Sequence, residues 1–403
     1  MHTMLVAMTL VLLGAGIAQA QESKDDPWHM HRRGKTSKVE AKPDAKTQME
    51  RMVAEKRRVL DESDLDADIR LILWGEWASD VDEGKDAIAS LAYEIDLQWH
   101  AFKIGDKGGG FIGLDLFGNL GLNYNPESQT FDDNIGSISG TSFLSVITAP
   151  IAINELYWKQ VSEDTRVVAL GGKLDLSNHF DGNRVANDFF DQFASYSLAF
   201  NTSIPFPAYG GFGGLLHAQF SDDFYMKLGV ADASTDSATE PWRSAENDEW
   251  YQIAELGWNR VNIPSLGRGQ YKVLAWHKGT PDADGWGFAI NLDQELGAKN
   301  VIGFVRFGVG DSDVTVAETF WSAGVGWNGP FGREHDTLGV AFSWIDTSPD
   351  AGVRNETLIE AYYRANFAAV FQLVGNVQVI VDPAAAAESE TVVVLGLRFE
   401  FSF

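Results

Sequence analysis

The sequence predicts an all-β fold, a transmembrane antiparallel β-barrel of about 16 strands with an N-terminal periplasmic extension that is helical or disordered. Three observations predict it. From residue 69 onward apolar residues recur with a period of two. The connections between these alternating segments are long and short by turns. The chain also ends on a complete alternating segment, "VVVLGLRFEFSF", with Phe403 as its last residue.

The N-terminal elements come first. "MLVAMTLVLLGAGIAQA" has an apolar core and a small-x-small site, Ala18-Gln19-Ala20, so residues 1–20 read as a signal peptide. Its n-region is atypical, with no Lys or Arg, and an upstream start is an alternative. No Cys follows the cleavage site to serve as a lipid anchor. Residues 21–66 read as a disordered and helical periplasmic extension. Its first part, 21–43, is polar and holds Pro27, Pro43 and a His29-x-His31 pair. No further ligand cluster follows that pair, so no metal or other cofactor is expected. "DAKTQMERMVAEKRRVLDE", residues 44–62, is rich in helix formers but carries only a partial apolar stripe, Met49, Met52, Val53, Val59 and Leu60. It reads as a spacer or short coiled coil, or as a solvated helix.

Residues 67–403 are the expected barrel domain. "SLAYEIDLQWHAF" sets Leu91, Tyr93, Ile95, Leu97 and Trp99 against Ser90, Glu94, Asp96, Gln98 and His100. "NETLIEAYYRANF" sets Ile359, Ala361, Tyr363, Ala365 and Phe367 against Glu356, Glu360, Tyr362, Arg364 and Asn366. Such alternation puts one face in an apolar medium and the other in water. Segments of this kind fall near 69–78, 88–101, 110–120, 151–161, 165–175, 212–221, 223–232, 250–259, 268–278, 285–295, 299–309, 317–328, 336–346, 355–366, 370–381 and 391–403. Most have about 10 residues, enough to cross a bilayer at a tilt. A soluble sandwich or propeller would also show many strands. The barrel is favoured by tryptophans near strand ends on the apolar face: Trp77, Trp99, Trp158, Trp258, Trp286, Trp327 and Trp344. It is favoured too by long connections at 121–150, 176–211 and 233–249, against short ones at 162–164, around 222 and around 367–369. The closing strand removes the unpaired edge that lipid does not tolerate.

Charge and motifs exclude several functions. The net charge of -26 argues against a nucleic-acid partner. Residues 21–66 hold 11 Lys+Arg and 11 Asp+Glu, so the barrel segment carries the whole acidic excess. With no Cys there are no disulfides, thiolate metal sites or cysteine nucleophiles. "GVGWNG" at 324–329 matches G-x-G-x-x-G, but Pro330 follows and no helix opens, so it is not a nucleotide site. Neither a Gly-x-Ser-x-Gly elbow nor an H-E-x-x-H helix occurs, and an enzyme is not expected.

Residues 153–214 are the informative stretch. Two strands carry Glu155, Tyr157 and Lys159, then Lys173 and Asp175, on their polar faces. A long loop follows with Phe180, Asp181, Asn183, Arg184, Asn187 and Asp188. The words "INELYWKQ", "GGKLDLSNHFDGNRVANDFFDQF", "IPFPAYG" and "DDFYMKLGVADA", with the C-terminal "VVVLGLRFEFSF", resemble the carbohydrate-selective porins of the OprB family. The resemblance covers roughly residues 69–403, with 153–235 as its specific core. It implies an outer-membrane channel through which monosaccharides such as glucose diffuse passively, narrowed by inward-folded loops. Its expected partners are small sugars, the lipid bilayer and the barrel-assembly machinery, the last through Phe403. The candidate pore and substrate-binding residues are Glu155, Tyr157, Lys173, Asp175, Asp181, Asn183, Arg184 and Asn187. Their donors and acceptors suit sugar hydroxyls, and aromatic faces suit sugar rings. The acidic excess disfavours anions. The competing readings are an envelope anchor, a general-diffusion pore and an outer-membrane enzyme.

Overall fold

The structure is a computed structural model. It describes residues 64–403 apart from 128–129, 143, 145–147, 234–248, 298–299, 349–351, 369 and 389–390. The signal peptide and nearly all of the 21–66 extension therefore lie outside the described residues.

Sixteen strands close on themselves, each hydrogen-bonded to its sequence neighbours and β1 to β16. They are β1 Leu65–Ala78, β2 Ala87–Ile104, β3 Gly108–Gly121, β4 Ala152–Val161, β5 Val167–Leu174, β6 Gly211–Gln219, β7 Phe224–Asp232 and β8 Trp250–Ile263. The second half comprises β9 Gly267–Gly279, β10 Asp284–Glu295, β11 Val301–Gly310, β12 Ala317–Asn328, β13 Thr337–Thr347, β14 Glu356–Ala368, β15 Phe371–Val381 and β16 Thr391–Ser402. Every neighbouring pair is antiparallel, so the 16-stranded expectation holds.

The parity expected from the sequence is the parity observed. On β16, Leu395, Leu397 and Phe401 are exposed, while Val392, Val394, Gly396, Arg398 and Glu400 are buried. Closure pairs Leu73 with Phe399 and Trp74 with Arg398. Phe403 exchanges both backbone bonds with Ile69, at 2.8 and 3.1 Å, so the last residue is tied to the first strand. The outward tryptophans form two belts. Trp99, Trp158, Trp258 and Trp327 lie toward the short turns, and Trp77, Trp286 and Trp344 toward the other end. Amphipathic rings settle at the two interfaces of a bilayer in this way.

One end carries short connections, such as 105–107, 220–223 and 264–266, together with both ends of the described chain. The other end carries the long ones. Two of them fold against the inner wall where they are described. The 122–151 connection contains a short helix, α1 (Phe131–Ile135), and the 175–210 connection a single turn, α2 (Tyr196–Ala199). Phe131, Ile135, Leu144, Phe189, Phe190, Phe193, Leu198 and Phe200 from these connections pack with Ile72, Trp74, Val374 and Val394 of the strands in one buried cluster. The inner wall of β1 and β13 to β16 thus meets these loops both with apolar side chains and with charges, Glu76, Glu356, Glu360 and Arg398 among them. Close approach is built in at Gly308 of β11. A Cβ there would collide with the side chains of Ser203 and Asn201.

Candidate pore constriction

The 175–210 segment lies across the lumen, and charged side chains of the inner wall hold it there. Several of them grip its backbone. Arg306 of β11 donates to the carbonyls of Leu198 (2.7 Å), Asp181 (3.0 Å) and Ala186 (2.7 Å). Arg398 of β16 donates to Phe189 and, at 3.0 Å, to Gln192, and stacks over Trp74 at 5.0 Å. Lys227 of β7 donates to the carbonyl of His179 at 2.6 Å, and Lys272 of β9 to that of Gly182. Acids receive the segment's amides. Glu255 of β8 accepts from Asp181 at 2.9 Å, and Glu360 of β14 from Ala194 (2.7 Å) and Ser195 (3.1 Å). Satisfying buried carbonyls and amides this way removes a desolvation cost that would otherwise expel the segment.

Asp181 is the hinge of this arrangement. Its backbone is left-handed (φ 55°), a conformation Asp tolerates better than most residues. Its carboxylate pairs with Arg306 Nε at 3.0 Å and accepts from Asn291 Nδ2 (2.7 Å) and the Asn201 amide (3.0 Å). Burial pushes this carboxyl upward, against the pull of Arg306. Asp188 holds Arg70 of β1 at 3.1 Å. Asp191 accepts from Gln372 and lies 3.6 Å from Arg364. Burial, with Glu400 and Asp188 beside it, raises the Asp191 carboxyl to about 8.

The residues singled out in the sequence occupy distinct places. Asp181, Asn183 and Asn187 are buried in the segment, and Asn183 donates to Asn291 Oδ1 at 2.8 Å. Glu155 is buried on β4, where it accepts from the Asp175 amide (3.1 Å) and contacts His179 Nε2 at 2.6 Å. Tyr157 is buried one inward position along, its ring against Gly113. Asp175 is buried and caps the turn that follows it through Ser177. Lys173 is buried on β5, where it pairs in the ladder with Leu156 and Phe212. Gly172 before it, at φ 143°, marks the local irregularity that parity counting passes over. Arg184 keeps partial exposure, with 22% of its side chain accessible. Its Nε donates to Asp293 at 2.6 Å, Nη2 donates to the Arg268 carbonyl at 2.9 Å, and Nη1 lies 3.6 Å from Glu295.

Sequence reasoning missed the wall residues that fix the constriction: Arg70, Lys227, Glu255, Lys272, Arg306, Glu360 and Arg398. A signal was available. Each is a charge at an inward position within an apolar strand, as in "FVRFGV" and "LGLRFEF".

Known proteins resemble this chain at three levels. Residues 279–403 match the family model described as "Carbohydrate-selective porin, OprB family". The match lies C-terminal to the 153–235 block. Porin AaxA of Chlamydia pneumoniae is 25% identical over 238 residues, 55% of this chain and 52% of that protein. The chain thus spans about half the length of this curated relative. The high-pH structure of Pseudomonas putida OprB superposes with a TM-score of 0.72 at 14% identity, covering 87% of this chain and 97% of that one. The outer-membrane channel DcaP of Acinetobacter baumannii gives 0.52 at 11% identity, covering 84% and 97%. At such identities the structural likeness speaks for the fold alone. By sequence over residues 279–403 and by fold over the whole barrel, the resemblance to the carbohydrate-selective porins of the OprB family holds.

Proposed function

We propose that the protein is an outer-membrane porin through which monosaccharides such as glucose diffuse passively, past a constriction formed by the 175–210 segment. The observation that carries this reading is the way that segment is fixed. A loop whose backbone is gripped by Arg306, Arg398, Lys227 and Lys272 keeps a constant aperture, and a constant aperture is what selection by size and hydrogen bonding requires. Arg184 is the candidate with exposure enough to meet a solute, and the buried Glu155, Tyr157, Asp175, Asp181, Asn183 and Asn187 act by shaping the segment. The test is single-channel conductance of purified protein titrated with glucose. Discrete openings blocked by glucose support the reading, and open channels indifferent to glucose leave a general-diffusion pore. The apolar packing between Phe131, Phe189, Phe193 and the inner wall favours a second reading, a closed barrel used as an envelope anchor. Absence of any conductance would select it.

Assembly is proposed to proceed through the C-terminal strand, with Phe403 read by the barrel-assembly machinery and the signal peptide removed on export. Deleting Phe403 removes both backbone bonds to Ile69. Surface levels should fall severalfold, while the conductance of inserted molecules stays unchanged. Normal surface levels would refute the assembly role.

A further inference from the structure

Arg184 Nη1 and Glu295 Oε1 lie 3.6 Å apart. That is too long for a direct hydrogen bond, which spans about 2.7–3.2 Å. A polar gap of this width has room for one shared oxygen between its walls. Both side chains are partly open to solvent, at 22% and 26%. Glu295 is on the face of β10 that carries Asn291 and Asp293, which bind the 175–210 segment, so the gap is on the lumen side. It lies at the end of β10 next to the short turns, where a solute leaves the constriction.

The rest of both groups is fixed. Arg184 gives its backbone amide (3.3 Å) and its Nε (2.6 Å) to the two carboxylate oxygens of Asp293, and Gln192 Nε2 donates to its carbonyl at 3.1 Å. The backbone of Arg268 holds both walls of the gap. Its carbonyl accepts from Arg184 Nη2 at 2.9 Å, and its amide donates to Glu295 Oε2 at 2.9 Å. Gly267 makes room for this approach, since at φ 115° a Cβ there would collide with Glu295 Oε2. Among the described residues no hydrogen bond engages Nη1 or Oε1. One donor and one acceptor are therefore presented side by side, each already oriented by its own partners. A hydroxyl suits such a gap, because a single oxygen accepts from Nη1 and donates to Oε1. An ammonium only donates and a carboxylate only accepts, so either leaves one wall unpaired. Water fits as well, and a sugar hydroxyl displaces it without loss of a bond.

We propose that Glu295 contacts the passing solute, and that Arg184 Nη1 and Glu295 Oε1 together clasp one hydroxyl of a sugar as it leaves the constriction. This deepens the pore reading and rests on it. The experiment records single-channel current with glucose and with each singly deoxygenated glucose. It compares wild type, Glu295→Gln, Arg184→Ala and the double variant, all checked for the heat-modified gel mobility of a folded barrel. Wild type should be blocked less by at least one deoxyglucose than by glucose. Glu295→Gln should weaken glucose block roughly three- to tenfold, the loss of one hydrogen bond to a charged group on a partly exposed site. It should also make glucose and that deoxyglucose equal. The double variant should lose little more than Arg184→Ala alone, since both groups hold the same hydroxyl. A Glu295→Gln channel that keeps the wild-type glucose block overturns the proposal and leaves the pore reading standing. So does one that is less stable yet still tells glucose from the deoxyglucose, because Glu295 would then only brace the turn. Losses that add in the double variant overturn the shared hydroxyl. A wild-type current indifferent to glucose overturns the sugar reading and this proposal together. Should Glu295→Gln not insert, Glu295→Asp decides: the carboxylate withdrawn by one methylene should weaken the block, and an unchanged block overturns the proposal.

Discussion

At the scale of the residue, Arg184 and Asp191 show two uses of charge in one loop. Arg184 has five N–H donors, and its contacts to Asp293, the Arg268 carbonyl and Glu295 engage only part of that fork. The proposed role leaves the remaining donors for sugar hydroxyls. A hydrogen bond to a charged group contributes about 1.5–3 kcal/mol. Arg184→Ala should therefore weaken glucose block about tenfold or more while heat-modified gel mobility stays that of the folded barrel. A variant that loses thermal stability and keeps its glucose block would make Arg184 a clamp on Asp293 and nothing more. Asp191 is of the other kind. Docked, its carboxyl is raised to about 8 by burial and by Glu400 and Asp188. Undocked, it would return toward the ordinary 3.8. The docked loop then binds the extra proton, so the stability of docking is complete below about pH 4 and is lost as pH rises toward 8. Protection of the segment's amides from hydrogen exchange should fall across that window in wild type. It should stay level in Asp191→Asn at this site, and an unchanged slope would show that Asp191 does not govern docking.

At the scale of the element, strands and loops were legible to very different degrees. Sixteen strands were readable within a few residues, as with 285–295 against β10 and 317–328 against β12. The cause is physical, because lipid outside and water or polar loop inside write a period of two into every segment. The largest differences lie where strands outrun the apolar band, at the start of β1 and the end of β8. The segment 175–210 was legible as a functional loop but not in its mode of action. Its Asp and Asn residues look like ligands in sequence, yet Asp181 and Asn183 turn into the wall, and the wall's arginines bind carbonyls that carry no sequence signal. Irregular strand positions add to this, since the extra residue Asn154 that β4 sets between the partners of Asp115 and Leu116 changes which residues share a face. Arg306→Met tests the element. It strips Asp181 of its buried ion-pair partner and three carbonyls of a donor, and breaking a buried pair in this way costs about 3–5 kcal/mol. The segment should undock, single-channel conductance should rise and protease should cut between residues 180 and 200, while the barrel keeps its heat-modified mobility. Unchanged conductance would mean that the segment is held by its apolar packing alone.

At the scale of the whole molecule, an even number of strands fixes the relation between the ends. β1 starts, and β16 finishes, at the end of the barrel that carries the short turns, and the backbone bonds between Ile69 and Phe403 lock the two together. Outer-membrane barrels keep their short turns in the periplasm and send long loops outward. On that orientation the 122–151 and 175–210 connections, which pack against the inner wall, lie at the cell-exterior end, and whatever precedes Leu65 emerges inside the envelope. The charge distribution fits such a division. Residues 21–66 are balanced, with 11 basic and 11 acidic residues, whereas the barrel segment holds the acidic excess. A soluble protease added to intact cells should therefore leave residues 21–66 uncut. The same protease should cut that segment once the outer membrane is permeabilised, releasing a fragment that begins close to β1. The tightly packed barrel should resist in both conditions. Cleavage within 21–66 on intact cells would invert the orientation, and with it the assignment of the 175–210 constriction to the outer mouth.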